Sequence, residues 1–382
     1  MTRRVMLVLA VVFVAGCDDA TRDRAMLTEP VRAAQVGVAQ FELATGYSLQ
    51  VLPSLQEGRY ASAIALNGAG LVVGVGDVNG GKYGCHDVAA AIVWSNASAR
   101  NLHAELAARR DIGFPPPGPS CAELWTMALD VNDLGDVIVA SSYYGDNQGW
   151  MWNSTTGFAF AGYGGRLGGA VAMNNRSELV GYIDDGNTPR RAALWMPAGS
   201  VLDIDPRDYG STAFGISDDG DILGCVRGQL GRWKVGGQVT VLHEICGEDL
   251  GVPFGLYVRP IGGIARDGTA ALSASRNGVP TALVWRRGTV TDAGWSPGSA
   301  SDISERGRVV GWAYATTPND PRAVTRLRNG AVQWLPTPTA NTTSRAFAVN
   351  RCGDVAGYVV DAKGFQRGAV WRVATCDNAG TW

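Results

Sequence analysis

Residues 349–358 read VNRCGDVAGY, and close variants of these ten letters recur along the chain. The other copies are ALNGAGLVVG (65–74), VNDLGDVIVA (131–140), MNNRSELVGY (173–182), ISDDGDILGC (216–225), IARDGTAALS (264–273) and ISERGRVVGW (303–312). The first is offset by one residue, Leu66-Asn67 being its start. A short polar residue opens the turn at Asn67, Asn132, Asn174, Ser217, Ser304 and Asn350, and glycine follows three positions later at Gly70, Gly135, Gly220, Gly268, Gly307 and Gly353. Ala265 and Ser177 depart from the rule. This is the chemistry of a type I turn closed by a left-handed residue: the polar side chain caps the turn, and glycine takes positive φ freely. Each copy therefore predicts a β-hairpin.

Further along each copy an apolar run ends in tryptophan: AIVW (91–94), GWMW (149–152), AALW (192–195), LGRW (230–233), ALVW (282–285) and GAVW (368–371), with VTRL (324–327) placing Leu327 there in the sixth. Alternating apolar positions predict a third strand whose terminal ring fills the space between neighbouring units, an aromatic sugar platform being the alternative. A fourth run led by Gly or Ser follows most copies: GSVLDID (199–205), GGQVTVLH (236–243), GTVTDAG (288–294) and GAVQWLP (330–336). The seventh copy lacks one. GYSLQVLP (46–53) fits the fourth-strand pattern and has no first three strands before it. The orphan strand and the incomplete unit predict an all-β fold: a seven-bladed β-propeller of four-stranded antiparallel blades, closed by strand 46–53 joining the last blade. Closure removes the free edges that an open array would expose. A β-solenoid or two-sheet sandwich would leave residues 46–53 unexplained.

The predicted domains are residues 1–16, 17–45, 46–376 and 377–382: an export signal, an anchored tether, the propeller and a tail. MTRRVMLVLAVVFVAGC (1–17) opens with two arginines, continues through an apolar run too short to span a bilayer as a mature helix, and ends Val14-Ala15-Gly16-Cys17. The last four residues resemble the lipobox of bacterial lipoproteins. That resemblance implies cleavage before Cys17 and acylation of both its sulfur and its new amine. Several acyl chains anchor firmly where one binds only marginally. The expected location is the bacterial cell envelope, with inner and outer membrane left open. An ordinary export signal with an incidental cysteine is the alternative.

The repeat resembles the bacterial extracellular HAF-repeat family, whose units join an Asn-x-x-Gly hairpin to a small-hydrophobic-aromatic strand and a Gly-led fourth strand. Ala-Ala-Leu-Trp at 192–195 is among the closest echoes of the eponymous His-Ala-Phe. The resemblance covers about residues 46–374 and implies an exported propeller-like body with no agreed activity.

Six cysteines remain after Cys17. In a four-stranded antiparallel blade the second-to-third loop and the exit of the fourth strand share one face. Cys85 with Cys121, and Cys225 with Cys246, then lie on that face, and Cys352 with Cys376 on the other. An oxidising compartment makes these three pairs the expected disulfides. No metal site is expected: there is no CxxC, and His86, His103 and His243 are scattered.

The formal charge of −2 lacks the basic footprint of a nucleic-acid binder. No cofactor is expected, and the chain is expected to be a monomer. The largest insertions, 100–121 and 243–260, project on the face of the second-to-third loops. There they gather Tyr83, His86, Tyr143, Tyr144, Arg190, Arg191, Phe254 and Tyr257, a mixture suited to a protein or glycan ligand, with solvated decoration as the plain alternative. Nucleophile-elbow, zincin, P-loop and EF-hand motifs are missing. The acids of SDDGDILG (217–224) are assigned to the turn. The expected function is a membrane-anchored binding or scaffold module, with a polysaccharide-acting hydrolase or lyase as the alternative.

Overall fold

A computed structural model describes residues 41–376, apart from 56–58, 81–84, 96–97, 110–124, 144–145, 161–167, 184–189, 198, 206–209, 228, 235–238, 244–261, 277–278, 316–319 and 340–341. Two strands come first, β1 (Glu42–Leu43) and β2 (Tyr47–Val51). Blade one holds β3 (Ala61–Leu66), β4 (Val72–Gly80), β5 (Cys85–Ser95) and β6 (Ser98–Asn101), followed by the short helix α1 (Leu102–Ala107). Blade two holds β7 (Trp125–Val131), β8 (Val137–Tyr143), β9 (Asp146–Asn153) and β10 (Gly157–Phe160). Blade three holds β11 (Gly168–Met173), β12 (Leu179–Ile183), β13 (Arg191–Trp195) and β14 (Val201–Asp203). Blade four holds β15 (Thr212–Ile216), β16 (Asp221–Val226), β17 (Gln229–Lys234) and β18 (Thr240–His243). Blade five holds β19 (Gly262–Ile264), β20 (Ala270–Arg276), β21 (Val279–Arg286) and β22 (Thr289–Asp292). Blade six holds β23 (Gly298–Ile303), β24 (Val309–Tyr314), β25 (Pro321–Arg326) and β26 (Val332–Trp334); blade seven holds β27 (Ser344–Val349), β28 (Val355–Val360) and β29 (Gln366–Val373). The chain is a seven-bladed β-propeller.

Blade seven is completed by β2, which pairs antiparallel with β29 and sets Leu49 opposite Trp371. The orphan strand thus occupies its expected place. The body begins earlier than residue 46, however. Strand β1 runs parallel to β26 as a fifth strand of blade six, with Glu42 opposite Gln333, and the Phe41 ring lies 5.0 Å from that of Trp334. Residues 41–45, read as the end of a tether, therefore belong to the fold. Tyr47 then bridges blades six and seven: its hydroxyl donates to the Gly353 carbonyl at 3.0 Å and accepts from Arg308, whose guanidinium also lies 5.6 Å from the ring.

All seven turns have the predicted conformation at the closing position. The six glycines have φ between 77° and 95°, and Ser177 adopts φ 55°. Ser177 is held there by its hydroxyl, which donates to Asp136 at 2.8 Å and accepts from Asn132 at 3.1 Å. A second glycine has a different cause. In five blades a bulge in the first strand pushes a carbonyl against the middle of the second, so that a Cβ on Gly74, Gly181, Gly224, Gly311 or Gly357 would stand 1.8 to 2.1 Å from backbone oxygen. Gly357→Ala should cost about 1 to 3 kcal/mol by overpacking. Urea denaturation checks it, and an unchanged midpoint would show that the bulge yields freely.

The tryptophans fill the seams between blades, as predicted. Trp94 of blade one is 1% exposed, shares a core with Leu52 and Val370 of blade seven, and donates to the Pro53 carbonyl at 2.7 Å. Trp371 is fully buried and donates to the Pro336 carbonyl at 2.6 Å. Blade six differs from the reading of its sequence. The residue opposite Val309 is Arg326, where Val355 of blade seven faces Trp371, so Leu327 lies one place beyond the tryptophan position. Trp295, from the connection between blades five and six, fills the seam core with Val284 and Val309 instead. Hydroxyls add a further seam bond: Thr126, Ser211 and Ser344 accept from Ala91, Ala192 and Ala323 of the preceding blade, at 2.9 to 3.0 Å.

The Thr126 hydroxyl also stands 3.2 Å from Nδ1 of His103 on α1. Burial lowers the His103 imidazole to about 4. An unfolded histidine titrates near 6.5, so between those values the unfolded chain binds a proton that the native protein refuses. This contribution to stability is complete above about pH 6.5 and declines as pH falls towards 4, by about 2 kcal/mol between pH 7 and 4.5. Comparing urea midpoints of the wild type and His103→Gln at both pH values tests this. The variant should lose less on acidification, and parallel losses would contradict it.

Cys352 and Cys376 form the predicted disulfide, with Cα atoms 4.5 Å apart. Cys225 is also disulfide-bonded. The side chains of Cys85, Cys121 and Cys246 lie outside the described residues, as does Cys17.

Candidate functional site

The hub opens on the turn face as a layered cup of about 150 Å³. Its floor takes the last residue of each inner strand: Leu66, Val131, Met173, Ile216, Ile264, Ile303 and Val349. Above the floor lies the turn-opening residue. Where this is asparagine, the side chain performs two tasks. The Asn67 oxygen accepts from the N–H groups of Ala69 and Leu71, capping its own turn, while its nitrogen donates to the Asn132 carbonyl of the next blade at 2.9 Å. Asn350 clips to Asn67 at 3.0 Å, Asn132 to Asn174 at 3.4 Å, and Asn174 to Ser217 at 3.1 Å. Ser217 and Ser304 cap their turns with a hydroxyl but have no amide to reach onward, and Ala265 has neither.

The rim is the second turn residue of each blade: Gly68, Asp133, Asn175, Asp218, Arg266, Glu305 and Arg351. Gly68 is small because Arg351 crosses it to Asp133, an ion pair of 3.3 Å; a Cβ on Gly68 would meet the Arg351 Nε at 2.6 Å. The Gly68 N–H donates to Asp133 at 2.6 Å, the Asp133 N–H to Asn175 at 2.7 Å, and the Asn175 N–H and side-chain amide to the two oxygens of Asp218 at 2.8 and 3.0 Å. Asp218 in turn shares a hydrogen bond with Glu305, spanning blade five. Their carboxyls are pushed apart. Burial raises Glu305, helped by its bond to Asp218 and by the charges of Asp218 and Asp133, which outweigh Arg266. Burial opposes ionisation of Asp218 too, but the Asn175 donors, the Glu305 bond and Arg266 together hold it below the usual range. Of the two carboxyls, Glu305 therefore takes up a proton first as pH falls.

These rim residues were not singled out in the sequence. The sequence places Asp218 in its turn, yet it receives the neighbouring blade's amide at the mouth. Asp221, from the same run, pairs with Arg232 at 2.7 Å. The predicted loop-face residues are placed as follows. Tyr83, Tyr144, Phe254 and Tyr257 lie outside the described residues; His86 and Tyr143 fall in β5 and β8, where only the backbone is described. Arg190 stacks 4.6 Å from the Tyr182 ring, and Arg191 pairs with Asp203 at 2.8 Å, so both engage their own blade. Among the described residues no group of three or more His, Cys, Asp or Glu is placed to hold a metal.

No protein-family model matches this sequence, and no curated protein matches it. Solved structures do. Oligogalacturonate lyase from Vibrio parahaemolyticus is 11% identical with a TM-score of 0.51, over 87% of this chain and 98% of that one. A streptogramin B lyase is 11% identical with a TM-score of 0.50, over 86% and 98%. The β-propeller domain of the Trilobed protease from Pyrococcus furiosus is 12% identical with a TM-score of 0.46, over 84% and 99%. The likeness is one of fold. At such identity the chemistry of those proteins does not carry over, and the site must be argued from its own residues.

Proposed function

We propose that this chain is a lipid-anchored, extracytoplasmic protein of the bacterial cell envelope, related to the HAF-repeat family, whose propeller is a binding or scaffold module for a protein or glycan. The observation that supports binding is the hub cup, where side chains from every turn converge on one hole with an apolar floor and a charged rim. A concave site on which polar groups converge is the usual place for a ligand to be oriented. The membrane part rests on the lipobox-like segment ending at Cys17. Two experiments test the halves separately. Cys17→Ser should move the protein from the membrane fraction to the soluble one, and unchanged fractionation would remove the anchor. A protein and glycan array probed with residues 41–382, the start set by β1, should return a saturable ligand; a blank array would count against the module.

The polysaccharide-acting reading is favoured by one feature, the split Asp218–Glu305 pair, which resembles an acid and a base. Geometry weighs against it. A hydrogen bond joins the two carboxyls directly, whereas glycosidases hold their pair about 5 Å or more apart to admit the sugar or water. Reducing-end release from polysaccharides by the purified protein would reverse that judgement.

A further inference from the structure

We propose that the turn ends of blades five to seven dock on the anionic phospholipid headgroups of the membrane that holds Cys17. This rests on the anchored reading above and adds the orientation of the propeller: the face bearing the cup mouth turns towards the bilayer.

Strands within each blade alternate in direction, so the hairpin joining the first two strands and the hairpin joining the last two stand on one face. Charge is divided unevenly around that face. In blade five, Arg266, Arg286 and Arg287 accompany one acid, Asp267. In blade six, Arg306, Arg308, Arg326 and Arg328 outnumber Glu305 and the nearby Glu42. Arg326 even takes the strand position that holds tryptophan in the other blades. In blade seven, Arg351 and Arg372 outnumber Asp354. The other arc has no such excess. Blade one has no charge at its turn ends, blade two has Asp133 and Asp136, and Arg176 and Glu178 of blade three cancel as a pair at 2.7 Å. Three aspartates outnumber Arg232 and Lys234 in blade four.

Five of these arginines, Arg266, Arg286, Arg287, Arg328 and Arg351, are exposed. The ion pairs of Arg266 with Asp219 at 3.4 Å and of Arg351 with Asp133 at 3.3 Å are surface pairs, which contribute little and yield to a phosphate. A bilayer offers many phosphates in one plane, and guanidiniums spread over three adjacent blades engage several of them at once, where a single small anion would meet one. The path of the chain points to the same face. Strand β1 runs parallel to β26, which starts just after the turn closed between Leu327 and Gly330, so the segment from Cys17 enters the fold at the turn end of blade six, the blade richest in these arginines. Residues 18–40 reach at most about 80 Å. The anchor therefore holds the patch at high local concentration over the surface, where weak contacts suffice.

Sedimentation with vesicles tests the proposal on residues 41–382, which contain every strand of the ring and lack Cys17. The body should bind vesicles of phosphatidylcholine with about one-third phosphatidylglycerol, should ignore pure phosphatidylcholine, and should be released by about 0.5 M salt. Arg286→Gln combined with Arg287→Gln should weaken binding about tenfold or more while the urea midpoint stays unchanged, since both side chains are exposed. Arg190→Gln, at the opposite end of blade three, should change neither. Equal binding to both vesicles, binding to neither, or an undiminished double variant would overturn the docking face. Retention on heparin without vesicle binding would overturn it too, and would assign the arginines to an anionic polysaccharide. The assay contains no anchor, so its failure removes the docking face alone, whereas unchanged fractionation of Cys17→Ser removes the tether alone.

Discussion

Deleting residues 41–52 should abolish the folded protein. The segment supplies β1 and β2, buries Ala44 and Leu52, and packs Tyr47 and Leu49 into the core of blade seven. At about 1.5 to 3 kcal/mol for each large side chain, Tyr47, Leu49 and Leu52 alone account for several kcal/mol, comparable with the whole stability of a domain. Deletion would also bare β29, whose residues Val373 to Ala369 pair with Tyr47 to Val51, and expose an open sheet edge to aggregation. The expected outcome is insoluble product, or soluble aggregate by size-exclusion chromatography. A monomeric variant with the wild-type far-ultraviolet spectrum and urea midpoint would show that the ring does not depend on this strand.

Trp371→Ala should cost about 3 to 5 kcal/mol. The ring is fully buried between blades six and seven, shares a core with Val310, Leu335 and Val355, and binds the Pro336 carbonyl through its indole N–H. Truncation leaves a cavity and an unpaired carbonyl at the seam where β2 closes the ring. Trp371→Phe separates the contributions: it fills most of the space but cannot donate, and should cost about 1 to 2 kcal/mol. Urea denaturation checks both. Equal losses would put the effect in the hydrogen bond, and losses below about 1 kcal/mol would contradict a seam-filling role.

The parts of the fold that were legible in the sequence are those where backbone chemistry restricts the residue. The Asn-x-x-Gly turns show because a left-handed closing residue excludes most side chains, and Ser177 escapes the rule through two hydrogen bonds invisible in sequence. The strand at 46–53 shows because it keeps the fourth-strand pattern without its three companions. Strand β1 does not show: two residues paired in parallel leave no alternation and need no turn residue. The register of blade six is not legible in the sequence because Arg326 occupies the tryptophan position while Trp295 enters the seam from a connection.

The cup was hidden for a different reason. Gly68, Asp133, Asn175, Asp218, Arg266, Glu305 and Arg351 share no chemistry, so no repeat motif includes them. Each reads as turn decoration until closure of the ring brings residues about 280 positions apart, such as Gly68 and Arg351, to one hole. Stacking the copies and reading the column after the turn-opening residue would have found five charged side chains in seven. That column was the available signal. The loop-face residues stand out in sequence by insertion length instead, and the two whose side chains are described, Arg190 and Arg191, pair within their own blade.

The closed ring is tested most directly by amide hydrogen exchange of the peptide covering residues 46–53 in the full chain. If β2 is the fourth strand of blade seven, its amides should exchange as slowly as those of β28 and share their opening free energy. Exchange at the rate of an unstructured peptide, with β28 still protected, would contradict closure.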